Sequence, residues 1–174
     1  MRIKHDGIAW VVMGVCGCGK SAVGARLAAA LGVRFVEGDD FHPPANVARM
    51  SAGIALTDED RQGWLEALRD EILRAQGQGI VLSCSSLKRA YRDILRSAGN
   101  VRFVHLAGAR ALIEARMRER PGHYMPASLL DSQLRTLEPL EPDEAGMTLG
   151  IGDDPDTLVG RILASATHRS APGA

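Results

Sequence analysis

Short runs of consecutive apolar residues alternate along the chain with longer stretches where apolar residues recur every three or four positions. Ala9 to Met13 (AWVVM) is apolar throughout and ends in glycines, the pattern of a strand buried on both faces. Lys20 to Leu31 places Val23, Leu27, Ala28 and Leu31 on one face, with Gly32 as a stop, which predicts a helix. A strand follows at 33–36, then a short helix opened by Pro43-Pro44 and running to Met50. Thr57 or Asp58 caps a long helix that reaches Gln76 through Trp64, Leu65, Leu68, Ile72 and Leu73. Further strands are predicted at 79–83, 101–106 and 147–151, with helices at 87–98, 109–118 and 155–167. This order predicts an α/β domain: a parallel five-stranded sheet flanked by helices in three layers.

The rhythm breaks between residues 120 and 142, where Pro121, Pro126, Pro139 and Pro142 surround a short helical piece. It reads as a mobile lid inserted over the site, from about 117 to 142, with an ordinary surface excursion as the alternative. Residues 1–168 read as one domain and 169–174 as a frayed tail.

At 174 residues and 45% hydrophobic, the chain has the material for a real core. Its 21 basic and 21 acidic residues cancel, which speaks against a dedicated nucleic-acid binder. No apolar run approaches the roughly 18 residues of a membrane span. The first residues lack a small-residue cleavage site and read as the entry to the first strand. Cys16, Cys18 and Cys84 cannot all pair with one another, so a reducing cytoplasm is expected. Only Lys4, Lys20 and Lys88 are lysines, against 18 arginines. A compact ammonium fits between phosphate oxygens, where a guanidinium fork is wider.

Gly14-Val15-Cys16-Gly17-Cys18-Gly19-Lys20-Ser21 fits G-x-x-x-x-G-K-[ST], after a strand pattern and before a helix pattern. Glycines let such a turn aim several N–H groups at phosphate oxygens, and the helix N-terminus adds its positive end. The cradle is expected to use Gly14, Cys16, Gly17, Cys18, Gly19, Lys20, Ser21 and Ala22, with Lys20 on the β- and γ-phosphates and Ser21 on Mg²⁺. Cys16 and Cys18 read as small residues tolerated in a tight loop. A redox-sensitive thiol is the lesser alternative, since a helix N-terminus lowers a thiol pKa.

Asp39, after the second strand, is the candidate to hold and polarise an acceptor hydroxyl, with His42 as a polar substrate contact. Glu37 or Asp40 could order the metal. After the third strand, Ser85 and Ser86 precede Lys88, a cation for phosphate charge or an acidic substrate, while one serine caps the helix. Arg116, Arg118, Arg120 and His123 gather at the lid's entrance, where they would bring positive charge onto a transferring phosphoryl group.

The turn Gly-Val-Cys-Gly-Cys-Gly-Lys-Ser and the segment from Gly38 to Pro43, with Asn46 and Met50, resemble those of gluconokinases. So do Gly53 to Arg61 with Trp64-Leu65, Cys84 to Asp93, and Gly122 to Pro126 with Ser132-Gln133-Leu134 and Thr136 to Pro139. The resemblance runs from about residue 10 to 167. It implies a P-loop kinase fold with a lid and ATP-dependent phosphorylation of D-gluconate to 6-phosphogluconate, feeding the pentose phosphate or Entner–Doudoroff routes. It also implies Mg²⁺ and a homodimer. On the residues, Lys20, Asp39, Lys88 and Arg120 are the expected catalytic set, with Arg116 and Arg120 on the nucleotide and Ser21 and Glu37 on the metal. Asp39, His42, Arg49, Arg61, Lys88, His123 and Gln133 are expected on the acceptor. Cys16 and Cys18 stand where the family has serines, and Glu37 where it commonly has Asp. The alternatives are a shikimate- or adenylate-type kinase and a non-catalytic nucleotide-binding regulator.

Overall fold

The structure is a computed structural model describing residues 7–120 and 126–168. Five strands, β1 (Ala9–Met13), β2 (Arg34–Glu37), β3 (Ile80–Ser83), β4 (Val101–Ala107) and β5 (Gly146–Gly150), form one sheet in the order β2-β3-β1-β4-β5. Every pairing is parallel. The helices are α1 (Lys20–Leu31), α2 (Pro44–Ser51), α3 (Asp58–Arg74), α4 (Arg89–Arg96), α5 (Arg110–Arg118), α6 (Ala127–Thr136) and α7 (Pro155–His168). Central β1 is buried along its whole length, as its unbroken apolar run requires. One core continues from it through Val11, Leu27, Leu68, Leu82, Phe103 and Ile162, each fully buried. Burial of each such side chain contributes about 1.5–3 kcal/mol.

Element boundaries fall within two residues of the expected ones, and α4 is the most trimmed, by two residues at each end. That helix begins at Arg89, with Lys88 extended at its N-cap. Thr57 and Asp60 make the reciprocal capping box that starts α3: each side chain accepts the other's backbone N–H. The periodicity did not anticipate a 3₁₀ turn at Gly38–Phe41. Gly38 is required there, because a Cβ would lie 2.1 Å from the Ser83 carbonyl oxygen. That close approach carries the chain from β2 across the end of β3.

The proline-rich insert carries α6, whose Leu129 and Leu130 are buried. Its downstream end is fixed to the domain by fully buried Arg92. Arg92 makes six hydrogen bonds, two to the Glu144 carboxylate and four to the carbonyls of Ser86, Leu87, Glu138 and Pro139. Burial raises the Glu144 pKa, but the hydrogen bonds from Arg92, the Glu141 backbone and Arg96 outweigh it and bring the carboxyl to about 2.

Candidate active site

Parallel sheets present ligand crevices at the carboxyl ends of their strands. Here a cleft of about 660 Å³ opens there, between the turn after β1, the segments after β2 and β3, and α6. Two kinds of wall face each other across it.

The first wall is backbone. Gly14, Gly17 and Gly19 have φ values of 142°, 79° and 93°, which side-chain-bearing residues rarely adopt. The Lys20 ammonium donates to the Val15 carbonyl oxygen at 3.0 Å, curling over its own turn. The Cys16 N–H points across the cleft and donates to Gln133 Oε1 of α6 at 2.7 Å. Cys16, Gly17, Gly19, Lys20 and Ser21 line the cleft, whereas Cys18 is buried beneath the turn. Burial pushes the Cys16 thiol up and Lys20 lowers it less, so its surroundings oppose the thiolate expected at a helix N-terminus. Burial also raises Cys84, to about 11.

Beside this wall, Ser21 Oγ donates to Glu37 Oε2, and Ser83 Oγ donates to Glu37 Oε1 at 2.5 Å. No cluster of three or more His, Cys, Asp or Glu suited to a metal occurs among the described residues. One hydroxyl and one carboxylate do fit Mg²⁺, a hard cation that keeps waters and shares itself with substrate phosphates.

The second wall is side chains. Asp39, on the 3₁₀ turn, lines the cleft with His42, Arg61, Trp64 and Ser85. His42 stacks on Trp64, with centroids 4.1 Å apart and 17° between planes, and Trp64 donates to the Gly38 carbonyl oxygen at 2.7 Å. Asn46 holds the far side of the His42 ring: its Nδ2 donates to the Asp60 carbonyl oxygen at 2.7 Å and lies 3.4 Å from His42 Nδ1. With Nδ1 accepting, the proton is on Nε2, which lies 3.9 Å from Asp39 Oδ1. Burial lowers the His42 pKa, with Asp39 opposing and Arg61 assisting, so the ring is neutral near pH 7.

Arg120 and Gln133 reach the cleft from the insert. The other expected site residues stand elsewhere. Lys88 does not line the cleft; its ammonium pairs with Asp58 at 3.0 Å. Arg49 lies 3.4 Å from Asp60, and Arg116 donates to the Ile151 carbonyl oxygen. Gly14 and Ala22 belong to the turn and its helix but do not line the cleft. His123 lies outside the described residues. Trp64, which forms the floor under His42, reads in sequence only as the apolar face of a helix. Its indole N–H gave no signal before its carbonyl partner, 26 residues away, was placed.

A glycine-rich turn at a helix start facing an acid, a histidine and an arginine across one cleft fits the plan of a small-molecule kinase, and residues 16–137 match the family described as shikimate kinase. The chain is 47% identical over 157 residues to the gluconokinase of Gluconobacter oxydans (strain 621H), covering 88% of each. A solved gluconokinase from Sinorhizobium meliloti 1021 superposes with a TM-score of 0.84 at 39% identity, covering 97% of this chain and 100% of that one. A solved sugar kinase from Janibacter sp. HTCC2649 gives 0.86 at 45%, covering 91% and 94%. The chain belongs to the gluconokinase family.

Proposed function

We propose that this protein transfers the γ-phosphoryl group of ATP to the C6 hydroxyl of D-gluconate, giving 6-phospho-D-gluconate and ADP. The observation that carries this reading is the shared cleft, in which the backbone cradle and the set Asp39, His42 and Arg61 face one cavity. The acceptor O6 attacks Pγ, the bond from Pγ to the β–γ bridging oxygen breaks, and the O6 proton passes to Asp39. His42 Nε2–H orients a neighbouring hydroxyl, and the Arg61 guanidinium receives the sugar acid's carboxylate. Lys20 exchanges the Val15 carbonyl for β- and γ-phosphate oxygens, and Arg120 supplies positive charge to the transferred group. Gln133 must release the Cys16 N–H when a phosphate oxygen arrives, which ties the position of α6 to nucleotide occupancy.

Ser21 and Glu37 would hold Mg²⁺, which would supply positive charge to offset that of the nucleotide's phosphates. Three free thiols suit a reducing cytoplasm, where the product would enter the pentose phosphate or Entner–Doudoroff routes, and we place the enzyme there as a homodimer. An acceptor panel with coupled ADP detection tests the reading. Gluconate should be turned over and shikimate and AMP should not; turnover of either with none of gluconate overturns it.

A further inference from the structure

Arg61 is 9% exposed and faces the cleft, yet no carboxylate lies within ion-pair distance of it among the described residues. Its Nη1 donates instead to the hydroxyl of Tyr91 at 2.8 Å. Tyr91, 3% exposed, passes its own proton onward and donates to Asp58 Oδ1. Lys88 closes the chain, donating to Asp58 Oδ1 and Oδ2 at 3.0 and 3.2 Å. Asp58 and Arg61 lie one turn apart at the start of α3, and Lys88 and Tyr91 one turn apart at the start of α4. The N-terminal ends of two helices thus meet through a single tyrosine. The ring is also flanked by both cations, with the Arg61 guanidinium carbon 5.2 Å and the Lys88 ammonium 5.7 Å from its centroid.

This arrangement does two things for a guanidinium that must meet an anion. A neutral hydroxyl fixes its direction without cancelling its charge, which a carboxylate in direct contact would do. The compensating negative charge sits one residue further out and is itself matched by Lys88. Within this chain of hydrogen bonds two cations share one carboxylate, and the nearby Asp60, which also acts on Arg61, lies 3.4 Å from Arg49. We propose that Tyr91 and Asp58 are positioning residues for the acceptor, holding Arg61 aimed and uncompensated for an incoming carboxylate, and that Lys88 acts from the outer end of this chain without touching the substrate. The inference rests on the reading of Arg61 as the sugar acid's carboxylate contact.

The test is steady-state kinetics on the full chain with D-gluconate and ATP, alongside thermal unfolding. The variants are Tyr91→Phe, Asp58→Ala, Arg61→Met and Arg61→Met with Tyr91→Phe. Tyr91→Phe is expected to raise the KM for gluconate about 5- to 10-fold, leaving kcat and the KM for ATP within about twofold. In the Arg61→Met background the same change should add nothing further, because the residue it positions is gone. An unchanged KM for gluconate, or an equal rise with and without Arg61, overturns the proposal. Should Tyr91→Phe fail to fold, Asp58→Ala at the exposed end, alone and combined with Arg61→Met, carries the same two expectations. A wild-type protein that turns over no gluconate defeats the function proposed above. One that does, with Tyr91→Phe and Asp58→Ala both indifferent, defeats only this inference.

Discussion

In the proposed reaction the two walls of the cleft recognise their ligands by different means. The nucleotide wall is built from main-chain N–H groups, glycine dihedrals and one lysine that rests on a carbonyl of its own loop. The acceptor wall is a mesh of side chains from three segments: Asp39 and His42, Arg61 and Trp64, and Tyr91 behind them. A backbone cradle reads charge and, apart from Gly14, Gly17 and Gly19, whose dihedrals favour glycine, tolerates change in the residues that form it, since every residue but proline has the same N–H. A side-chain mesh reads shape and hydroxyl placement, and each member depends on its neighbours.

The contrast breaks first at the lysine of the cradle. Lys20→Ala should lower kcat/KM about 1000-fold, because no main-chain group replaces a mobile positive charge. On the facing wall, Asp39→Asn should lower kcat about 100-fold and leave the KM for ATP unchanged; wild-type turnover would remove Asp39 from its proposed role. Glu144→Gln strands the Arg92 guanidinium in the interior and should cost about 3 kcal/mol in denaturant unfolding. Acid sharpens the comparison at smaller scale. His42 in the acceptor wall and His105 near the glycine-rich turn both have pKa values lowered by burial from 6.5. Below that value the unfolded chain binds more protons than the folded one. The stability these residues confer is therefore full above about pH 6.5 and is lost as the pH falls from there through their lowered folded values. Urea titrations between pH 7.5 and 5 should show this loss, and His105→Leu should flatten it. The smallest effect is the most telling for the cradle. Cys16→Ser with Cys18→Ser should keep kcat/KM within about twofold, and peroxide should spare wild type and double variant alike.

Much of this was legible from residue order. The strands and helices followed from runs and periods, and the phosphate turn from eight consecutive residues. Asp39, His42, Arg61, Arg120 and Gln133 do reach the cleft. Lys88 shows where sequence reasoning stops. A cation near a strand end invites a role in the cleft, but its ammonium is taken by Asp58, 30 residues away, through helix packing that no local pattern encodes. The buried clasp of Arg92 was hidden for the same reason, since its partner Glu144 lies 52 residues on. Cys16, favoured as a small residue tolerated in the turn, shows the opposite case through its lesser alternative, a reactive thiol. Its place at a helix start promised a lowered pKa, and burial, visible only in three dimensions, reversed the direction.

The Arg92 clasp also bears on how such chains can diverge. All five N–H groups of that guanidinium are spoken for, four of the six bonds ending on main-chain carbonyls that no substitution can remove. A lysine offers three donors in a different geometry, so the usual basic exchange is closed at this position. A relative that has drifted here must have redrawn the path of residues 138–144 in step, and the two segments should be inherited, or lost, together.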